Sequence, residues 1–170
     1  IAHLAEPYHL GPEIDFLSAS IGITFYPADA SDADALVKHA DQAMYAAKRL
    51  GRNRFECFTP KLEEAAMTRA RIARDLRTAL PEREFWLAYQ PIVDLRTGGI
   101  HKAEVLLRWQ HPIHGLISPA VFIPIAEESG AIHDIGNWVF HTAARQLAQW
   151  RCTLHPDFQL SVNKSPLQFQ

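Results

Sequence analysis

Lys102-Ala103-Glu104-Val105-Leu106-Leu107-Arg108-Trp109 reads as a strand with two unlike faces. Side chains alternate along a strand, so Ala103, Val105, Leu107 and Trp109 share one face, which is entirely apolar and must pack against another layer, expected to be helical. Glu104, Leu106 and Arg108 share the other. Four residues separate the two charges, roughly 13 Å along a strand, so they do not pair directly. Unpaired charges on an inward face are costly unless a ligand, a metal or a partner completes them. A solvated face carrying ordinary surface charges fits the same alternation, and periodicity leaves both readings open.

Working outward, Phe85–Val93 is a second strand, joined to Ile100–Trp109 through the turn-rich Asp94-Leu95-Arg96-Thr97-Gly98-Gly99 as a hairpin. Gln90 falls just before Pro91, where a polar strand end needs no special role. Pro112, Gly115 and Pro119 mark a loop. His111 and His114 are expected in it as polar turn residues, because no further Cys or His completes a metal set. Pro119 suits the first turn of a helix running to Gly130. Asp134 is expected to cap the next helix, with Ile135, Val139, Ala143, Leu147 and Trp150 as its stripe. Phe158–Asn163 alternates as another strand. Asn163 before Lys164-Ser165-Pro166 is by itself turn chemistry. Hairpin, helix and strand in this order make an α/β unit.

Upstream, residues 13–26 read as one strand-like run that Pro27 stops. Ser31 is expected to cap a helix with Leu36, Ala40, Ala43, Met44 and Ala47 as its apolar stripe. Lys48 and Arg49 fall in its last turn and Gly51 at a left-handed cap. Phe55–Phe58 is a short apolar end-piece. Lys61–Leu80 is helical again, weakly amphipathic in its charged first half. Residues 61–70 are therefore expected to be a helical linker between residues 1–60 and 71–170, each with a core of its own.

The 170 residues are 48% hydrophobic and 21% charged, with a formal net charge of −2. That supports a packed core and excludes the basic excess of a nucleic-acid-binding protein. No stretch approaches the ~20 apolar residues of a membrane span, and no signal peptide is visible. Cys57 and Cys152 form no CxxC, which points to reduced thiols and a cytoplasmic setting. Ile1 in place of Met, and a stop at Gln170 directly after a strand and its loop, suggest that both ends are cuts in a longer protein, so membrane anchoring of the parent through other segments stays open.

The residues from about 71 onward resemble the EAL family in order and spacing. The resemblance is carried by Tyr89-Gln90-Pro91-Ile92-Val93, Glu104-Val105-Leu106-Leu107-Arg108-Trp109, His111-Pro112, Gly115-Leu116-Ile117-Ser118-Pro119, Phe122-Ile123-Pro124, Ala126-Glu127 and Val162-Asn163-Lys164-Ser165-Pro166-Leu167-Gln168-Phe169. It implies a TIM-like barrel that hydrolyses cyclic-di-GMP to linear pGpG with Mg²⁺ or Mn²⁺. It also implies that Glu104 and Asn163 are metal ligands converging on one site, and that Gln90, Leu106 and Arg108 contact substrate, with Arg108 on a phosphate. Hard cations take such oxygen ligands, and Arg is a phosphate fork. The motif reads Glu-Val-Leu where the family name spells Glu-Ala-Leu. Val105 points to the apolar face, so the change is one of packing. The family's later acidic ligands, its Asp-Asp motif and its catalytic lysine would lie beyond Gln170, and a barrel of ~250 residues cannot close from ~100.

Residues 4–58 resemble the C-terminal half of a GGDEF domain, the nucleotidyl-cyclase-like α/β fold of diguanylate cyclases. The resemblance rests on Ala19-Ser20-Ile21-Gly22-Ile23, Tyr26-Pro27, Ala40-Asp41-Gln42-Ala43-Met44-Tyr45-Ala46-Ala47-Lys48 and Gly51-Arg52-Asn53-Arg54. It implies that Lys48 and Arg52 contact GTP phosphates. Basic residues ending a helix also offset its dipole, and both roles can hold together. The metal-binding GGDEF motif would precede Ile1. The combined expectation is a tandem GGDEF–EAL signalling protein, able to form a homodimer, whose parent is a cyclic-di-GMP phosphodiesterase and whose 170-residue portion is inactive alone. The rival is a degenerate receptor that binds cyclic-di-GMP or a protein partner without chemistry. Glu104, Arg108 and Asn163 favour the enzyme, since a receptor needs no metal ligands.

Overall fold

The computed structural model describes residues 1–169. They form two compact units, Ile1–Arg69 and Ala70–Gln170.

In the first unit a short 3-10 turn, Ala2–Ala5, precedes an antiparallel pair, β1 (Tyr8–Leu10) and β2 (Glu13–Asp15). Strand β3 (Ser20–Ile23) belongs to a different ladder: it runs parallel to β4 (Arg54–Cys57) across the crossover helix α1 (Ala33–Arg49). The expected single run over 13–26 is thus two strands, because the chain must leave one ladder before it enters the other. The cap of α1 also differs from expectation. Asp32, not Ser31, accepts the Ala35 N–H, at 2.8 Å; its carboxylate adds a charge that suits the positive end of the helix. Ala43 and Ala47 are the buried residues of the stripe. Gly22 explains how closely β3 sits on it: a Cβ there would stand 1.9 Å from the Ala40 carbonyl oxygen. Gly51, at φ 110°, ends α1 in the left-handed region, as its position in the sequence requires.

Helix α2 (Pro60–Ala79) contains residues 61–70, and its buried residues, Ile72, Leu76 and Ala79, all lie in its second half.

The second unit is a four-stranded sheet covered by helices. Strand β5 (Phe85–Val93) pairs antiparallel with β6 (Ile100–His111), Phe85 opposite Trp109 and Gln90 opposite Glu104. Strand β7 (Gly115–Ile117), which the sequence did not announce, pairs with Trp109–His111. Helices α3 (Pro119–Ser129) and α4 (Ile132–Thr153) lead to β8 (Gln159–Val162), which lies parallel to β6 with Glu104 beside Ser161 and Val105 beside Val162. Because β5 occupies one edge of β6 along nearly its whole length, β7 and β8 must share the other. A 3-10 turn, Pro166–Phe169, follows.

The two faces of β6 are as unlike as its alternation predicts. Ala103, Val105 and Trp109 are buried, and Val105 and Trp109 join Phe85, Leu76, Phe122, Ile125, Ile135 and Val139 in the core of this unit. Trp109 is fully buried, stacked edge-on against Phe122 at 5.5 Å, and its indole N–H donates to Glu84 at 2.7 Å. That bond satisfies the one polar atom a buried Trp carries. Asp134 does not cap α4, which begins at Ile132 with Ala131 as the preceding residue; Asp134 sits in the first turn, where its charge still favours the helix dipole. His111 also departs from expectation. It is no loop residue but the last residue of β6, 5% exposed, and it continues the buried face two positions beyond Trp109.

Candidate functional site

Residues paired across a ladder point to the same side of a sheet. The register therefore gathers Gln90, Glu104 and Ser161 in a row on the face opposite the helices, with Leu106 and Arg108 further along β6. Asn163, two residues past Ser161, continues that face just beyond the last paired residue of β8. There its Nδ2 donates to Glu104 Oε1 at 2.7 Å. This contact joins residues 59 apart in sequence, and it exists because β8 returns parallel to β6 after the α3–α4 crossover.

Where β8 ends beside Val105 and the last residue of β7, Ile117, lies beside Trp109, residues 106–108 of β6 have neither of those strands along that edge. A cavity of about 340 Å³ opens there between the sheet edge and α3 and α4; Val105, Leu107, Ile123, Ile135 and Val139 form its apolar wall on the helix side, and Leu106, Arg108, Glu127, Asn163, Lys164 and Ser165 border it. Arg108 is half-buried, and its guanidinium donates one N–H to the Leu107 carbonyl at 3.0 Å. Three of the five expected residues, Leu106, Arg108 and Asn163, thus meet at one cavity. Glu104 reaches it through Asn163. Gln90 stands exposed on the open sheet face across from Glu104.

The donor set can be tested against a hard divalent cation. The 2.7 Å contact brings the two side chains together through the Asn163 amide nitrogen, which ligates no metal; the atoms of this pair that Mg²⁺ or Mn²⁺ would take are the Glu104 carboxylate and the Asn163 Oδ1. Among the described residues no cluster of three or more His, Cys, Asp or Glu accompanies them. The remaining ligands would be water or residues outside this chain. The fit is therefore sound for these two groups and extends to no others here.

In the first unit, Lys48 and Arg52 are both exposed at the C-terminal end of α1, Lys48 in its last turn and Arg52 in the left-handed turn that follows. Elsewhere, Lys38 donates to Glu63 at 3.0 Å, and this bond holds the Glu63 carboxyl below the usual range. Burial pushes the Tyr89 phenol up; its ring packs edge-on against Trp150 at 4.7 Å.

Two constellations were not read from the sequence. His111 Nδ1 accepts the backbone N–H groups of Ile113 and His114, which places the ring proton on Nε2, facing Asp75 at 3.3 Å. Extending the strand parity from Trp109 to residue 111 would have found it. The second is the contact of Ser165 with Glu127, at 2.7 Å. No periodicity signals a pair 38 residues apart on a loop and a helix.

The family model described as the EAL domain matches residues 73–170. The chain belongs to the EAL family. Residues 1–54 match the model described as the diguanylate cyclase GGDEF domain, so the chain is α/β throughout: the C-terminal part of a GGDEF domain followed by the first part of a TIM-like EAL barrel. It is 41% identical over 169 residues to the bifunctional diguanylate cyclase/cyclic di-GMP phosphodiesterase MucR of Pseudomonas aeruginosa, covering 99% of this chain and 25% of that protein. It is 40% identical over 151 residues to the cyclic di-GMP phosphodiesterase PdeR of Escherichia coli, covering 89% of this chain and 23% of that one. The chain thus spans about a quarter of the length of these relatives. Among solved structures, the MucR phosphodiesterase in complex with c-di-GMP superposes with a TM-score of 0.56 at 46% identity, over 58% of this chain and 40% of that chain. No described helix is long and apolar enough to cross a membrane.

Proposed function

We propose that the EAL part of this chain carries one side of a cyclic-di-GMP hydrolysing site, within a longer tandem GGDEF–EAL protein that opens cyclic-di-GMP to pGpG. The observation that carries this reading is the 2.7 Å contact of Asn163 with Glu104. With the Asn163 amide oxygen turned to the ion, this carboxylate and carboxamide would hold Mg²⁺ or Mn²⁺, which when bound supplies an activated water and offsets charge on the phosphate.

The chain's own residues have separable tasks. Glu104 and Asn163 present oxygen to the cation. Arg108, half-buried at the cavity edge, offers its remaining guanidinium N–H groups to a phosphate oxygen. Leu106 offers the substrate an apolar contact from β6, and Gln90 contacts it from β5. The general base and the other ligands are assigned to residues outside this chain, so the 170 residues alone turn over no substrate. Residues 1–60 are assigned to the GGDEF part, with Lys48 and Arg52 on GTP phosphates, 61–70 to a helical linker and 71–170 to the EAL part. Homodimerisation and a cytoplasmic site of action belong to the same proposal.

The test is hydrolysis of cyclic-di-GMP to pGpG by the full-length protein with added Mg²⁺. Glu104→Gln removes one charge from the cation's shell without changing shape, and should lower the rate by more than about a hundredfold, roughly 2.7 kcal/mol. A rate near that of the unsubstituted protein removes Glu104 from the site. Binding of cyclic-di-GMP with no hydrolysis by the unsubstituted protein favours the receptor reading.

A further inference from the structure

We infer that Glu127 is a positioning residue for Asn163, acting through Ser165, and that Gly136 is the bare spot on α4 that lets Gln168 complete the same brace. The inference rests on the reading of Asn163 as a cation ligand.

Asn163 lies beyond the last paired residue of β8. No ladder partner fixes its backbone, yet its side chain must meet Glu104. The chain is instead fixed two residues later. Ser165 Oγ donates to Glu127 Oε1 of α3 at 2.7 Å, the short distance of a hydroxyl bonded to a carboxylate. The same Oγ accepts the Leu167 N–H at 3.3 Å. The Ser165 N–H donates to Gln168 Oε1 at 3.0 Å, and the Gln168 N–H returns to the Ser165 carbonyl at 3.0 Å. The Gln168 amide lies directly over Gly136, where a Cβ would stand 1.7 Å from Nε2. One helix thus holds the loop by a carboxylate and the next by the lack of a side chain. Glu127, Gly136 and Gln168 line the same cavity as Asn163 and Arg108. Glu127 is half-buried, and its bond to Ser165 places it behind the loop.

A partner that orients a ligand changes metal affinity by about 10- to 100-fold when it is lost. A residue that merely holds the fold lowers the unfolding temperature instead. The experiment measures Mn²⁺ alone binding to the full-length protein, by electron paramagnetic resonance of the free ion, alongside thermal unfolding of the metal-free protein. Asn163→Ala should abolish tight binding. Glu127→Ala and Ser165→Ala should weaken it about tenfold, with metal-free unfolding unchanged. Glu127→Gln keeps an oxygen that accepts from Ser165 and should stay within about twofold of the unsubstituted protein. Gly136→Ala favours the helix but displaces Gln168, so affinity should fall several-fold while the unfolding temperature does not.

If Asn163→Ala loses Mn²⁺ while Glu127→Ala and Gly136→Ala bind normally, the brace is wrong and the site reading stands. If Asn163→Ala binds normally, the site reading fails and the brace with it. Glu127→Gln as weak as Glu127→Ala would mean that Glu127 acts by its charge on the cation, which overturns the positioning role. Should Glu127→Ala fail to fold, Gly136→Ala and Glu127→Gln decide.

Discussion

Glu63 offers a direct check of local electrostatics, since the Lys38 bond holds its carboxyl below the usual range. A carboxyl lowered in the folded state contributes stability that is present above its unfolded pKa and lost as pH falls through the folded one. The Lys38–Glu63 contribution is therefore intact at neutral pH and fades only in acid. Lys38→Met should return the Glu63 titration towards the ordinary glutamate range in a carboxyl-resolved NMR experiment; an unchanged titration would contradict the assigned cause. The two tryptophans of the β5–β6 hairpin make a second residue-scale test. Trp109 is fully buried and Trp86 is 47% exposed on the opposite face. Trp109→Ala should cost about 3–5 kcal/mol by urea denaturation, and Trp86→Ala less than half of that. At this scale the sequence was legible where alternation governs: the apolar face of β6 follows from parity alone. Its extension to His111 is masked by Pro112 and Gly115, which signal a turn directly after it. The Asn163–Glu104 pairing was reachable only through the family resemblance, since isolated periodicity leaves both residues with ordinary roles.

Among the elements, β3 and α1 are bound by the absence of a side chain. A Cβ on Gly22 would meet backbone atoms, the Ala40 oxygen at 1.9 Å and the Met44 nitrogen at 2.4 Å, so no rotamer change relieves it. Gly22→Ala should destabilise the β3–α1–β4 unit by about 1–3 kcal/mol, seen as faster amide exchange over Ser20–Ile23 and Arg54–Cys57; unchanged exchange would show that strand and helix separate freely. The main helices and the hairpin were legible because each has a clear period and a Gly or Pro at its ends. Strand β7 was not, because three residues between turn formers carry no period. The split of 13–26 was not legible either, since continuous strand-like composition does not reveal which ladder each half joins.

Over the whole molecule, large apolar side chains stand exposed on both units: Phe16 73%, Tyr26 72% and Phe55 58% in the first, Leu95 97% and Ile113 81% in the second. Apolar surface on this scale promotes association. The 170-residue chain is expected to self-associate with rising concentration in light scattering and to unfold with poor cooperativity; a monomer with a sharp, reversible transition would contradict this. The proposed site turns on one point in the molecule, the meeting of Glu104 and Asn163. Diffraction from crystals of the full-length protein grown with Mn²⁺, recorded at the manganese absorption edge, tests it most directly. An anomalous peak bonded to a carboxylate oxygen of Glu104 and the amide oxygen of Asn163 is the predicted result. A peak that touches neither residue would contradict it.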